Sequence, residues 1–209
     1  MGRHTHPCIL KVQEVYIGND VIHLVSPSLK ASHRPLSDLS FLPSEAQVTV
    51  ILERLLNLCH ALHDKNHTIA NLHPSNIFID EDHPEDVLVT DIGFAYMTGM
   101  EPETKIQTEF SAPEVRGKCG IDMEKAVHEY PKQCDLYSLG AIAKFLLFGA
   151  LHYQADDCEG NISPEMQDFM KRVESDNPYE RANADVLVRL PLFNKERKED
   201  PAFEEQRAA

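Results

Sequence analysis

The stretch Ile69-Ala70-Asn71-Leu72-His73-Pro74-Ser75-Asn76-Ile77-Phe78-Ile79 constrains this chain more than any other, because of what stands on either side of it. Upstream, from Ser44 to Lys65, Val48, Ile51, Leu52, Leu55, Leu58, Cys59 and Leu62 follow the i, i+3, i+4 spacing of a helix buried along one face. Pro43-Ser44-Glu45 is a helix start, with Ser44 as N-cap. Downstream, Ile77-Phe78-Ile79 and Val87-Leu88-Val89 are short apolar runs separated by an acidic segment, Asp80 to Asp86, and predict a pair of strands. A long helix must therefore hand over to a strand through one polar loop that carries Asn71, Ser75 and Asn76. Polar residues clustered on a loop between packed elements mark a candidate site.

The remaining segments fall around that unit. Residues 8–17 and 21–25 are apolar runs rich in β-branched residues, joined by Gly18-Asn19-Asp20, and read as a β-hairpin. Residues 26–43, with Pro27, Pro35 and Pro43, read as a connector with room for one helical turn. Cys134 to Gly149 is apolar around most of its circumference, the pattern of a helix buried in the middle of a domain. Residues 162–173 and 182–189 predict two further helices, joined by Asp176-Asn177-Pro178-Tyr179-Glu180-Arg181. The tail from Asn194 is charged with mixed sign and is expected to be mobile.

A length of 209 residues with 42% hydrophobic and 26% charged residues fits one domain with one substantial core. The formal charge of −14 argues against nucleic acid or an anionic membrane as partner, since both would repel the chain. Five cysteines, Cys8, Cys59, Cys119, Cys134 and Cys158, are odd in number and without a C-x-x-C pair; reduced thiols in an intracellular, cytoplasmic setting are the expectation. The N-terminus has no apolar signal core, and the longest apolar stretch, Ala141 to Leu151, is short and interrupted by Lys144, so no membrane insertion is expected.

Three landmarks in order give the loop a family context: Ile69-Ala70-Asn71-Leu72-His73-Pro74-Ser75-Asn76, then Asp91-Ile92-Gly93, then Ala112-Pro113-Glu114. They resemble the His-Arg-Asp-Leu-x-x-x-Asn catalytic loop, the Asp-Phe-Gly turn and the Ala-Pro-Glu motif of eukaryotic protein kinases. Cys134-Asp135-Leu136-Tyr137-Ser138-Leu139-Gly140 is similar to the buried Asp-Val-Trp-Ser-Leu-Gly helix of that family, and the 176–181 turn to its Asp-Pro-x-x-Arg segment. His6-Pro7-Cys8-Ile9-Leu10-Lys11 resembles the stretch that leads into the last strands of the small lobe. Val115-Arg116-Gly117 and Lys132 to Asp135 look most like calcium- and calmodulin-regulated kinases. The resemblance covers residues 6–193. It implies an α+β, protein-kinase-like fold: residual small-lobe strands over 1–28, a mainly α-helical large lobe over 29–193, and a charged tail over 194–209.

The departures from the family pattern bear on chemistry. Asn71 stands where the kinases have the aspartate that accepts the substrate hydroxyl proton, and a carboxamide takes no proton at physiological pH. General-base catalysis contributes about 10²–10⁴-fold. Asn71 as a residue that caps a loop turn is the other reading, and it too yields no enzyme. Ala70 and Ile69 replace the loop arginine and histidine. No Gly-x-Gly-x-x-Gly loop occurs, and no upstream strand carries the lysine that holds the phosphates. Asn76 and Asp91 occupy the positions of the family's two metal ligands, so a Mg-nucleotide site is one reading and loop hydrogen bonding the other. By the same resemblance Glu114 and Arg181 form a structural ion pair, and Asp135 hydrogen-bonds the catalytic-loop backbone. His60, His63 and His67, at i, i+3 and i+7, raise a metal site for which no fourth ligand is evident.

The resemblance implies a truncated pseudokinase that lacks most of the small lobe, without a cofactor, acting as a scaffold and subunit of a larger assembly. The protein partner is expected to cover residues 8–25 and the floor of the former nucleotide cleft. Two alternatives stand beside it. One is the nucleotide-binding half of a split kinase whose small lobe comes from another chain; the other is a decoy for kinase substrates.

Overall fold

The computed structural model describes residues 6–18, 21–90, 108–116, 132–149 and 162–194. Its centre is α1, Glu45–His63. The Ser44 hydroxyl accepts the Gln47 amide hydrogen at 3.4 Å while Gln47 Oε1 accepts that of Ser44 at 2.9 Å, which satisfies two of the donors a helix start leaves open. All seven apolar residues of the predicted stripe are buried, together with Leu56.

Against α1 packs α2, Gln133–Phe148, which ends at Gly149 with φ +70°, a left-handed cap whose amide donates to the Phe145 carbonyl at 2.9 Å. α3, Pro164–Val173, is capped by Ser163, whose hydroxyl accepts the Met166 amide hydrogen, and it buries Met166, Phe169, Met170 and Val173. It lies so close to α2 that a Cβ on Gly140 would stand 2.6 Å from Val173 Cγ2. The predicted 182–189 helix is shorter than its pattern, with α4 covering only Ala184–Leu187. Pro191 cannot continue a helix but is suited to begin one, and it opens α5, Pro191–Asn194, a turn of helix the sequence pattern does not predict, whose last residue is the one at which the charged tail is expected to start. There Phe193 meets Phe169 edge to face, with ring centroids 5.4 Å apart. Residues 195–209 lie outside the described residues.

The strands form two sheets. β1, Glu14–Gly18, pairs antiparallel with β2, Val21–Val25, in the register Glu14 to Val25. β3, His33–Pro35, β4, Ile77–Asp80, and β5, Val87–Val89, form a three-stranded antiparallel sheet in that order. β3 lies within the predicted connector. Its three residues have no apolar alternation, and only pairing with β4, His33 opposite Asp80, makes them a strand.

A second correction concerns residues 8–17, read as one strand of the hairpin. Cys8 to Leu10 belong instead beside β5: Val89 donates to the Cys8 carbonyl at 2.7 Å and Leu10 to the Val89 carbonyl at 3.1 Å. Cys8 is buried in the same core as α1. A continuous apolar run is thus shared between two sheets, which periodicity alone does not divide. β1 is exposed along its length, Ile17 at 82%, and so are Val21, His23, Leu24 and Val25 of β2. Val15 faces Leu24 across the hairpin on one side and Tyr16 faces His23 on the other, so both faces carry exposed apolar side chains.

Candidate functional site

The loop from Thr68 to Asn76 is held from below by α2. Asp135, in the first turn of that helix and 1% exposed, points its carboxylate at the loop backbone. Its Oδ1 accepts the Ala70 amide hydrogen at 2.7 Å; its Oδ2 accepts that of Ile69 at 2.9 Å and lies 2.9 Å from His63 Nε2. Ala70 has φ +57°. A left-handed backbone costs a residue with a Cβ about 1 kcal/mol, and the charge-assisted bond to its amide offsets that cost.

Asn76 is buried and uses its side chain inside the loop. Its Oδ1 accepts the His73 amide hydrogen at 3.2 Å, and its Nδ2 donates to the Asn71 carbonyl. Its own carbonyl accepts the Thr90 amide hydrogen at 2.9 Å, so the loop is tied to the end of β5. The structure therefore brings Asn71 and Asn76 together, with Asn71 half-buried and Ser75 exposed at the rim. Asp91, the other candidate metal ligand, lies outside the described residues, as does most of the 115–132 loop.

A second anchor lies at the base of the domain. Arg181 Nη1 and Nη2 donate to Glu114 Oε1 and Oε2 at 2.6 and 2.8 Å, with both residues 4% exposed. Arg181 also donates to the Ser175, Gln133 and Asp176 carbonyls and lies over the Tyr137 ring. Every guanidinium nitrogen is used, which is what a buried cation requires. Ser138 Oγ donates to the Phe110 carbonyl at 2.9 Å, and Ser111 is buried beside it, so residues 108–116 are fixed to the top of α2.

The three histidines diverge. α1 stops at His63, so His67 is not on its face; its Nδ1 meets the Lys65 carbonyl at 2.7 Å. His63 turns inward to Asp135, and His60 turns outward to Asp185 at 2.7 Å. Burial pushes the Cys59 and Cys134 thiols well above their ordinary range, with the Asp135 carboxylate adding to it, and raises Cys8 to about 11. These thiols are core, not nucleophiles.

The left-handed Ala70 and the link from Asn76 to Thr90 were not legible in the sequence, since neither has a pattern. Another unread feature is a polar knot beneath the acidic hairpin. Lys30 Nζ lies 2.5 Å from Asp86 and 3.5 Å from Asp80, and Ser32 Oγ donates to Asp80 at 3.0 Å. The run of acidic residues 80–86 was its only signal.

A mainly helical lobe built on a central buried helix, a polar loop pinned by an aspartate from the helix packed against it, and a buried Glu–Arg tie define the large lobe of a kinase-type domain. Residues 1–193 match the protein kinase domain family, and the chain belongs to it. Among curated relatives, human ribosomal protein S6 kinase alpha-4 is 29% identical over 127 residues, covering 57% of this chain and 15% of that protein. Calcium-dependent protein kinase 5 of Plasmodium falciparum is 29% identical over 157 residues, covering 71% of this chain and 25% of that protein. The chain thus spans a quarter or less of either relative's length. Of solved structures, Rad53 in complex with AMP-PNP matches with a TM-score of 0.70 at 21% identity, over 91% of this chain and 52% of that one, a likeness of fold. Calcium-regulated kinases among the relatives agree with the subgroup the sequence suggested.

Proposed function

We propose that this chain is a catalytically inactive member of the protein kinase family, a pseudokinase that acts by binding another protein. The observation that carries the reading is Asn71. It sits on a loop whose backbone is fastened by Asp135, at the position that matches the family's proton-accepting aspartate, and offers a carboxamide there. Asn76 spends both ends of its own carboxamide on the loop, which favours its structural reading over metal ligation. Glu114, Asp135 and Arg181 are assigned structural roles, and 1–28, 29–193 and 194–209 serve as working divisions of the chain.

The partner surface in this reading is the hairpin. A two-stranded ribbon is marginal alone, and one with exposed Val15, Ile17 and Leu24 on one face and Tyr16, Val21 and Val25 on the other suits a site covered on both sides. Cys8 and Ile9 drop out of that surface because they pack against β5 and the core. A cytoplasmic location is part of the proposal. Among the described residues no helix is long and apolar enough to cross a membrane.

A thermal-shift titration with ATP, with and without Mg²⁺ or Mn²⁺, tests the reading. A nucleotide at 100 times its Kd stabilises a fold by about 2.7 kcal/mol. The expected result is no metal-dependent shift up to millimolar ATP. A shift that disappears in Asp91→Ala would replace this reading with the nucleotide-binding half of a split kinase.

A further inference from the structure

Two carboxylates converge on one imidazole where the end of α1 meets α4. Asp64, the residue that caps α1, keeps a helical backbone and donates its amide hydrogen to the His60 carbonyl at 3.0 Å, so its side chain shares a face with His60 four residues before it. Asp185, in the first turn of α4, arrives from 125 residues away at the same place. His60 Nε2 lies 2.7 Å from Asp185 Oδ1, and His60 Nδ1 lies 3.7 Å from Asp64 Oδ2. One candidate ligand atom from each of the three residues falls within 4.8 Å of the others.

Among the described residues, neither Asp64 nor Asp185 has a lysine or arginine within 4.0 Å, whereas the Asp80 and Asp86 pair is bridged by the Lys30 ammonium. A neutral imidazole has one N–H to give and cannot serve both carboxylates. The chain as a whole carries −14, so no general positive field compensates the pair. A cation bound between them would add the positive charge that no lysine or arginine among the described residues supplies. The buried group Cys59, His63 and Asp135 is similarly compact, but there the Asp135 oxygens are already filled by the Ile69 and Ala70 amides, and burial keeps Cys59 protonated.

We propose that His60, Asp64 and Asp185 form a surface site for a borderline divalent transition metal, Zn²⁺ being the best suited. One imidazole nitrogen with two carboxylate oxygens fits Zn²⁺, Co²⁺ or Ni²⁺ and is a poor set for Mg²⁺ or Ca²⁺, which prefer oxygen alone. The side chains are 33%, 62% and 65% exposed, which leaves an entry path and room for waters to complete the coordination. The ion would pin α4 to the end of α1, just before the chain enters the loop that carries Asn71. It is separate from the Asn76 position and does not depend on the proposed function.

The test is calorimetric titration of the chelator-stripped chain with Zn²⁺ in millimolar Mg²⁺, followed by Co²⁺ absorption. The expected result is one saturable site, insensitive to Mg²⁺ and without a thiolate-to-cobalt band. Affinity should fall by at least about tenfold in His60→Gln and in Asp185→Asn and stay unchanged in His67→Gln, with circular dichroism showing each variant folded. Wild-type affinity in His60→Gln, a thiolate band, or no saturable binding at all would overturn the proposal.

Discussion

Asp135 accepts the amide hydrogen of Ala70 at 2.7 Å while Ala70 is held at φ +57°, so a buried carboxylate on α2 keeps the loop backbone in a conformation it would not choose. Asp135→Ala leaves the Ile69 and Ala70 amides and His63 Nε2 without their acceptor. A loss of about 3 kcal/mol is expected in urea unfolding, since each buried donor left unpaired costs on the order of 1–3 kcal/mol and the loop relaxes in part. Hydrogen exchange should show the loss of protection centred on Ile69 and Ala70. Unaltered exchange there would refute the anchor.

The Glu114 and Arg181 pair predicts a non-additive cycle. Either Glu114→Gln or Arg181→Met strands a buried partner and should cost about 3–5 kcal/mol. The double variant should be less destabilised than the sum of the two, because nothing is left uncompensated. Additive losses would mean that the two side chains do not act on each other.

Gly140 predicts a change of sign. Alanine improves helix propensity by about 1 kcal/mol, but its Cβ would stand 2.6 Å from Val173 Cγ2, and a buried valine on a helix strongly prefers one χ1, so it does not easily turn away. Gly140→Ala should therefore destabilise by about 1–2 kcal/mol in the wild-type background. In Val173→Ala it should stabilise. Chemical denaturation of the four proteins decides this.

The buried thiols give a pH dependence. Burial, outweighing the nearby Arg54, raises Cys8 from the ordinary 9.0 to about 11, so the folded state prefers the protonated thiol. Its contribution to stability is complete below pH 9 and is lost as pH rises from there through about 11; Cys59 and Cys134 act in the same sense. Stability should fall less steeply over that window in Cys8→Ala than in the wild type. At neutral pH all three thiols should resist iodoacetamide until the chain is unfolded.

Elements with strong periodicity were legible in the sequence. α1 and its Ser44 cap, the β4 and β5 pair, and α2 all stand where their apolar spacing predicted. β3 has no pattern of its own because tertiary pairing with β4 makes it a strand, and α5 is too short, at one turn from Pro191, to show a helical period. The site was legible in its residue types and not in its geometry. Asn71 and Asn76 were singled out, but the positive φ of Ala70 and the internal bonding of the Asn76 carboxamide come from long-range contacts. His60 met its second carboxylate only through the fold.

Phosphoryl transfer from labelled Mg-ATP, measured in single-turnover format to the chain itself and to a basic peptide, tests the central claim most directly. The account predicts no transfer above an unfolded control, because Asn71 offers no proton acceptor at the anchored loop. Mg²⁺-dependent transfer that is abolished in Asp91→Ala would contradict it and make this chain a working kinase.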